Sequence, residues 1–279
     1  MGQTLREFIK ETSCSQRKDQ NIQSLDLELM ACSLFDIDRS KLFSSYILLD
    51  QKRKAQFLSM IHRRNSGEPL AYILGEKEFW NVELEINDQV LVPRPETETL
   101  IEDILLSFNH YRLSVLDLGT GSGAISLALK KEREEWNIFS SDFSEKALGI
   151  AKTNSLKNDL HIFLACSNWL NAFRPNSFDL IISNPPYISP NDQHLREGDV
   201  RFEPNSALIA QDDGLDDFKK IITKASVFLN PKGTILLEHG FQQGAIVKNL
   251  LESSGFVQIR HYQDIQGHVR ATLGQNPNR

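Results

Sequence analysis

The chain has 279 residues, of which 40% are hydrophobic and 24% charged, and its formal net charge is −6. This length accommodates one large or two modest domains with ample material for a core, and the composition is that of an ordinary globular protein. The negative net charge argues against a duplex-DNA partner, because neutralising DNA phosphates requires a basic protein surface.

The spacing of cysteines, histidines and apolar residues argues against several further classes of protein. Cys14, Cys32 and Cys166 show no C-x-x-C motif and no pairing pattern, as expected for free thiols in a reducing compartment. The seven histidines show no metal-ligand spacing, so we expect no metal. No apolar run has the length of a membrane span, and the N-terminus lacks a signal-peptide core. We therefore expect a cytoplasmic protein without a membrane partner.

Residues 1–75 predict a small N-terminal helical domain. They carry little strand signal, and their leucines recur at helical spacing. Asp38 and Ser40 are candidate helix caps between these runs. The residues alone reveal no function for this domain, and a domain that only supports the fold stays open as an alternative.

Residues 76–93 predict a β-hairpin linker between that domain and the rest of the chain. Val82, Leu84 and Ile86 alternate with polar residues and so lie on one face of a strand. The dipeptide Asn87-Asp88 is typical of a turn, and we expect the hairpin to reverse there.

Helical and strand patterns alternate over residues 94–279. Strands are predicted at 114–118, 137–142, 161–166, 178–183, 233–238, 256–263 and 268–273. Helices are predicted at 97–108, 123–135, 144–157, 215–229 and 242–254. The alternation indicates an α/β domain with a doubly wound, mostly parallel seven-stranded sheet. Only a few residues separate the last two strands, so we expect those two to pair antiparallel.

A glycine-rich turn, Gly119-Thr120-Gly121-Ser122-Gly123, follows the strand at 114–118 and opens a helix. This arrangement allows a ligand to approach the backbone closely at a helix N-terminus. The G-x-G-x-G spacing differs from the G-x-G-x-x-G that holds a dinucleotide pyrophosphate. Asp142 ends the next strand about 20 residues later, where an acid can accept hydrogen bonds from ribose hydroxyls. The plain alternative is a tight turn with a helix-capping Asp142.

A second candidate site is Asn184-Pro185-Pro186-Tyr187, directly after the buried strand at 178–183. Because proline lacks an N–H and fixes φ, the Pro185 carbonyl can point outward without a competing donor beside it. The Asn184 side-chain oxygen and that carbonyl could together accept both hydrogens of one planar –NH2 group. Tyr187 could stack on the flat face of the same group. The alternative is a proline-rich turn without a function.

Together the two sites fit methyl transfer from S-adenosylmethionine to an amide or exocyclic amine nitrogen. This donor carries a ribose but no pyrophosphate, so the shorter glycine spacing suits it. Accepting both N–H hydrogens would raise the electron density on the nitrogen and aim it at the methyl carbon. The sequence shows no dedicated general base, and the proton can leave to solvent after the transfer.

These motifs resemble the release-factor glutamine N5-methyltransferases, the HemK/PrmC-type enzymes. The resemblance covers roughly 65–275 and includes segments at 67–75, 79–80, 92–98, 201–204, 213–215, 237–240 and 264–270. The Asn-Pro-Pro-Tyr run alone is shared with DNA adenine methyltransferases. The segments Pro93-Arg94-Pro95 and Arg201-Phe202-Glu203-Pro204 are what make the match specific to this family.

The resemblance implies a Rossmann-like methyltransferase domain at 94–279 whose product is S-adenosylhomocysteine. The implied donor-site residues are Gly119, Thr120, Gly121, Ser122, Gly123, Asp142, Trp169 and Asn184. The substrate, a glutamine in a Gly-Gly-Gln loop of peptide-chain release factors, would be held by Asn184, Pro185, Pro186 and Tyr187, with Asn184, Pro185 and Tyr187 taking part in catalysis. The helical domain would help to hold the protein substrate.

The sequence departs from the family at Asn168, where the family usually has Asp. An asparagine can still hydrogen-bond an adenine edge, but it carries no charge. The departure therefore bears on donor affinity and not on the type of reaction.

Other functions fit the motifs less well. A DNA adenine-N6 methyltransferase would use the same acceptor loop, but it needs a basic groove for a flipped base. A non-catalytic S-adenosylmethionine-binding module would keep only the donor pocket, whereas this sequence retains the acceptor loop as well. A nicotinamide dehydrogenase conflicts with the glycine spacing.

Overall fold

The computed structural model describes residues 3–15 and 22–277. The chain divides into two compact units, one of Met1–Gly75 with Arg196–Phe202 and the other of Glu76–Leu195 with Glu203–Arg279. None of the helices in the described ranges combines the length and the apolar character that a bilayer crossing requires.

The first unit is helical. Its α-helices among the described residues are α1 Leu5–Ser15, α2 Ser24–Phe35, α3 Arg39–Ser44, α4 Gln51–Asn65 and α5 Leu70–Leu74. Leu27, Met30 and Ala31 recur at i, i+3 and i+4 along α2 and are buried, so one face of this helix lies in the core. The Phe8 and Phe57 rings pack with centroids 5.6 Å apart. The small helical domain predicted at the N-terminus is confirmed.

A segment distant in sequence, Arg196–Phe202, belongs to the same unit. The Arg64 guanidinium, in the last turn of α4, contacts both Asp26 and Asp199 at 2.9 Å. Arg201 donates a hydrogen bond to the Ser66 carbonyl. The Arg64 side chain is only 14% exposed, so water screens its ion pairs less than it screens a pair on the open surface.

The second unit begins with a β-hairpin, β1 Glu76–Phe79 and β2 Val82–Glu85, paired antiparallel. Its two turn residues, Trp80 and Asn81, have φ of 49° and 59°, as a two-residue hairpin turn of type I′ requires. The chain does turn at Asn87-Asp88, where the Val90 N–H donates to the Asn87 carbonyl at 3.2 Å, but the hairpin reverses at Trp80-Asn81 and not there, so that part of the prediction is wrong. Alternate residues from Trp80 to Ile86 are apolar, so the sequence gave no clear sign of a reversal at Trp80-Asn81.

The rest of the second unit is a seven-stranded sheet with helices. The strands are β3 Ser114–Leu118, β4 Asn137–Asp142, β5 Phe163–Cys166, β6 Phe178–Ser183, β7 Leu229–Glu238, β8 Val257–Gln263 and β9 Val269–Gln275. The α-helices are α6 Pro95–Ser107, α7 Ala124–Glu132, α8 Glu145–Lys157, α9 Asn205–Leu208, α10 Gln211–Gly214, α11 Asp216–Phe228 and α12 Gly244–Ser253. The strand order is β5-β4-β3-β6-β7-β9-β8. Only β9 runs against its neighbours, so the predicted doubly wound, mostly parallel sheet is confirmed.

The sheet forms because most residues of its central strands are apolar. In β3 and β6, residues such as Leu116 and Ile181 are fully buried, as expected where helices cover both faces of a parallel sheet. Helices α11 and α12 pack one apolar stripe each on this sheet, through Phe218, Ile222 and Val247 among others. The core is thus continuous from β3 to α12.

The direction of winding reverses between β3 and β6, which lie side by side although β4 and β5 intervene in sequence. Leu118 and Ser183, the last residues of these two strands, are direct partners in the parallel ladder. Ligand crevices in such sheets open beyond the carboxyl ends of the strands at this reversal. The residues that follow, Gly119 and Asn184, are therefore placed at the same point of the sheet edge.

Candidate functional site

A cavity of about 260 Å³ opens at this point of the second unit. Six residues predicted from the sequence line it: Gly119, Gly121, Asp142, Trp169, Asn184 and Pro186. Other lining residues include Gln89, Phe143, Asn168, Pro204, Ser206, Ala207, Asp217 and Lys220. The structure thus brings the glycine turn, the acid that ends β4, and Asn184 and Pro186 of the Asn-Pro-Pro-Tyr loop to one space.

The glycine turn has a backbone that only glycine adopts easily. Gly119, Gly121 and Gly123 have φ of 74°, 56° and 85°. The Gly119 and Thr120 N–H groups both donate to the Ser141 carbonyl, at 2.8 and 2.9 Å, which ties the turn to the end of β4. Gly119 is exposed to the cavity, and a Cβ there would approach the Trp169 ring to 3.5 Å. The missing side chain therefore keeps a gap between the turn and the indole.

Thr120, Ser122 and Gly123 are buried beneath the turn and do not line the cavity. The Thr120 hydroxyl donates to Asp117 Oδ2 at 2.7 Å, and the Ser126 hydroxyl donates to the same oxygen at 2.8 Å. Burial raises the pKa of Asp117 to about 6, although both hydroxyl donors oppose the shift. In this structure these residues support the turn from below.

Asp142 holds the turn and the following helix with one carboxylate. Its Oδ2 accepts the Gly121 N–H at 2.9 Å, and its Oδ1 accepts the Ser144 N–H at 2.8 Å. Burial raises the pKa of Asp142, while these N–H donors partly offset the rise. Because each carboxylate oxygen has two lone-pair sites, the carboxylate keeps acceptor capacity for a hydroxyl of a ligand in the cavity. The cap of α8 is Ser144, whose side chain accepts from Ala147.

Trp169 forms a wall of the cavity and is fixed from two sides. Its backbone φ is 50°, an unusual value for a bulky residue. The Ser167 hydroxyl donates to the Trp169 carbonyl at 2.9 Å, and the indole N–H donates to Asp217 Oδ1 at 3.3 Å. Lys220 in turn contacts that same Asp217 oxygen at 3.0 Å. These contacts hold the ring beside Gly119.

Sequence reasoning missed Phe143, Asp217 and Lys220. Phe143 directly follows Asp142, and this adjacency to a predicted site residue was a usable signal. Asp217 and Lys220 lie at the start of α11, about 50 residues after Trp169, and no local pattern connects them to the cavity.

The Asn-Pro-Pro-Tyr loop is divided between the cavity and the core. Asn184 and Pro186 are half-buried and line the cavity, whereas Pro185 is buried. Tyr187 does not line the cavity, and its ring packs against the core around α11 and α12. Substrate contacts by Pro185 and Tyr187 stay predictions from the sequence.

Beyond Tyr187 lies a buried cluster of charges. The Thr97 hydroxyl donates to Glu238 Oε2 at 2.9 Å, and Arg94 contacts the buried Glu203 at 2.6 Å. Burial raises the pKa of Glu238 to about 7. Burial, with the nearby Glu238 charge, also raises the pKa of the Tyr187 hydroxyl, which therefore stays protonated. Neither group lines the cavity.

The cavity suits S-adenosylmethionine by its chemistry. Asp142 offers acceptors for ribose hydroxyls, Trp169 and Phe143 offer apolar faces for an adenine, and the open Gly119 allows close approach of the backbone. The described ranges hold no group of three or more His, Cys, Asp or Glu residues that could ligate a metal ion.

Solved structures of methyltransferases share this fold. The methyltransferase from Pyrococcus furiosus superposes with a TM-score of 0.56 over 82% of this chain and 100% of its own, at 16% identity. A 16S rRNA N2 G1207 methyltransferase from T. thermophilus, solved with AdoMet and guanosine, gives a TM-score of 0.51 over 73% of this chain and 50% of its own, at 18% identity.

Two family profiles match the sequence. Residues 13–75 match the family described as PrmC N-terminal domain, and residues 96–199 match the methyltransferase small domain. Release factor glutamine methyltransferase from Pseudomonas aeruginosa is 42% identical over 263 residues, which are 94% of this chain and 95% of that relative. The enzyme of the same name from Xylella fastidiosa is 40% identical, over 92% of this chain and 95% of its own. This identity over nearly the whole length means that the chain belongs to the release factor glutamine methyltransferases, a family of S-adenosylmethionine-dependent enzymes.

Proposed function

We propose that the protein methylates the side-chain amide nitrogen, N5, of a glutamine in the Gly-Gly-Gln loop of peptide-chain release factors. The relatives that match nearly the whole chain carry this activity in their name. The observation that supports it most directly is the pairing of Leu118 with Ser183, because it opens the Gly119 turn and the Asn184 loop into one cavity. S-adenosylmethionine bound there would supply an electrophilic methyl group on a sulfonium.

Asn184 and Pro185 would position the acceptor. An amide nitrogen is a poor nucleophile because its lone pair is delocalised into the carbonyl. The Asn184 side-chain oxygen and the Pro185 carbonyl would each accept one N–H of the glutamine amide, which localises electron density on the nitrogen and fixes its direction. Such positioning removes up to about 7–11 kcal/mol of the barrier in ideal cases.

The donor side would be held by Asp142, Trp169 and the glycine turn. Asp142 would accept the ribose hydroxyls, and Trp169 would cover one face of the adenine. As the new N–C bond forms, the C–S bond breaks and S-adenosylhomocysteine results. The nitrogen then carries a positive charge and loses a proton to water, so no base is required in the cavity. Glu238, the nearby group with a pKa of about 7, does not line it.

We further propose that residues 1–75 help to hold the protein substrate and that residues 76–93 link them to the methyltransferase domain. The helical unit carries exposed apolar side chains at Phe43, Tyr46 and Leu48, which a protein partner would bury. A cytoplasmic location follows from this substrate, since release factors act at ribosomes. No observation favours a DNA substrate or a non-catalytic role.

The test is methyl transfer to a purified release factor with isotopically labelled donor, followed by mass spectrometry of the peptide that contains the Gly-Gly-Gln loop. We expect one methyl on that glutamine and none on a release factor whose loop glutamine is replaced by asparagine. Asn184→Ala should lower turnover about 10²–10³-fold, the loss typical of one donor or acceptor in a transition-state site, with donor binding retained. Label on any other residue, or turnover that survives in Asn184→Ala, would overturn the proposal.

A further inference from the structure

We propose that Gln243 is a positioning residue that fixes the Asn184–Tyr187 loop through the Tyr187 carbonyl, an inference that rests on the acceptor role proposed for this loop. Gln243 lies in the turn that precedes α12, 56 residues from Tyr187 in sequence. It does not line the cavity. Its effect on the reaction would therefore pass through the loop and not through the donor.

The Gln243 amide joins two backbone groups. Its Nε2 donates to the Tyr187 carbonyl at 3.1 Å, and its Oε1 accepts the Gly240 N–H at 2.9 Å. Reversing the amide would set a donor against the Gly240 N–H and an acceptor against the Tyr187 carbonyl, so only one orientation satisfies both. Gly240 is itself fixed, because the preceding His239 N–H bonds to Arg270 of β9 at 2.8 Å. Gln243 thus ties the loop to the sheet.

The absence of a side chain at Gly214 leaves room for this hydrogen bond, and any larger residue there would clash with it. Its φ is 85°, and a Cβ at this position would lie 2.2 Å from the Tyr187 carbonyl oxygen and 3.0 Å from Gln243 Nε2. The first distance is far inside van der Waals contact with a backbone atom. The carbonyl, the amide and Gly214 therefore form one tightly fitted contact.

The two prolines of the loop fix its φ angles but leave it few hydrogen bonds to the rest of the protein. Pro185 and Pro186 have no N–H to donate, so two successive residues after Asn184 contribute no backbone donor. The next contacts beyond Tyr187 are the Ile188 N–H to the Leu208 carbonyl at 2.9 Å and the Ala210 N–H to the Ile188 carbonyl at 3.0 Å. Among the described residues, the Tyr187–Gln243 bond is thus the hydrogen bond closest to Asn184 on the C-terminal side of the loop.

A loosened loop would misplace the acceptor oxygens. A shift of about 1 Å at a reacting centre can cost about 10²-fold in rate. We expect Gln243→Met, which keeps the length of the side chain but removes both hydrogen bonds, to lower kcat about 10–100-fold and to leave the dissociation constant of S-adenosylhomocysteine unchanged. The neighbouring Gln242 is exposed, so Gln242→Met is the matched control and should leave both quantities unchanged.

Gln243→Glu separates this hydrogen bond from a general loss of packing. As a carboxylate it would repel the Tyr187 carbonyl, but as a carboxylic acid it could donate to it. The ratio of its kcat to that of the unchanged protein should therefore rise as the pH is lowered from 8 to 5, following the protonated fraction of the new carboxyl group. The segments that meet Gln243 around Gly240 and Gly214, and the segment bonded to His239, carry the ionisable groups Glu238, His239, His268, Arg270, Asp212 and Asp213. These are present in both proteins, so the ratio removes their common effect.

The outcomes distinguish this inference from the function on which it rests. If Asn184→Ala loses turnover while Gln243→Met and Gln243→Glu keep the full rate, the tether is overturned and the acceptor loop stands. If Asn184→Ala keeps its turnover, the acceptor role itself fails. If both Gln243 variants are slow but the Gln243→Glu ratio is flat with pH, the donated hydrogen bond is not what fixes the loop. Thermal unfolding of each variant establishes that it is folded in the assay.

Discussion

The Ser183 hydroxyl donates a 2.7 Å hydrogen bond to the Leu118 carbonyl, across the last rung of the ladder between β3 and β6. Ser183 is fully buried, so water does not compete for this bond. It fixes the separation of the two strands at the point where Gly119 and Asn184 leave the sheet. The distance between the proposed donor and acceptor halves is thereby set in the rigid core and not by the loops.

Replacement of Asp142 by Asn should weaken donor binding by about 10–100-fold, since hydrogen bonds to a charged group contribute about 1.5–3 kcal/mol. In this variant an NH2 group replaces one of the two side-chain oxygens that accept backbone N–H groups. The contribution of the ribose hydrogen bonds to donor affinity must therefore be measured separately. Calorimetric titration with S-adenosylhomocysteine and with its analogue lacking both ribose hydroxyls achieves this. The two proteins should bind the analogue almost equally. An equal loss for both ligands would assign Asp142 to support of the turn alone.

Replacement of Asn168 by Asp should strengthen donor binding by about 2–10-fold. Asn168 lines the cavity and is exposed, and a carboxylate there can accept from an adenine amino group with the added strength of charge. Asn168→Ala, which offers no acceptor, should bind more weakly than the unchanged protein. The measurement is the dissociation constant of S-adenosylhomocysteine at fixed salt. If all three proteins bind equally, residue 168 does not contact the donor.

Asp217→Ala should lower donor affinity by about 2–10-fold, because one hydrogen bond of about 0.5–1.5 kcal/mol no longer orients the Trp169 indole. Asp217→Asn is the matched control, since its amide oxygen can still accept the indole N–H. At saturating donor, kcat should be unchanged in both. Donor binding can be followed by calorimetry. Equal affinity of the Ala and Asn variants would show that the bond to Trp169 has no part in donor binding.

The buried Glu238 should make the protein less stable as the pH rises. Its pKa in the folded protein is about 7, above the ordinary value of 4.5, so its stabilising contribution is complete below pH 4.5 and is lost as the pH rises through 7. This shift corresponds to a change on the order of 3 kcal/mol in the free energy of unfolding. Urea unfolding of the protein and of Glu238→Gln between pH 4.5 and 8 measures it. The difference between the two curves should shrink or reverse with increasing pH, and parallel curves would contradict the assignment.

The sequence was most informative where the physics is local. The strands 114–118, 137–142 and 178–183 agree with the structure residue for residue, because each contains a short buried stretch and is followed by a turn or a helix start. The hairpin turn was misplaced because the left-handed backbone of Trp80 is set by pairing with β2 and not by the residue itself. The ties of Asp217 to Trp169 and of Gln243 to Tyr187 span about 50 residues and need the fold before they can be recognised.

The Arg196–Phe202 segment makes the chain pass between its two units three times, at 75–76, 195–196 and 202–203. The helical unit therefore cannot be removed or exchanged by dividing the chain at a single point. A chain beginning at residue 76 would still carry Asp199 and Arg201 but would lack Arg64 and Ser66, to which they bind. The segment also lies in sequence between Ile188 and the buried Glu203. Replacing the helical unit with that of another protein would therefore also require replacing this internal stretch.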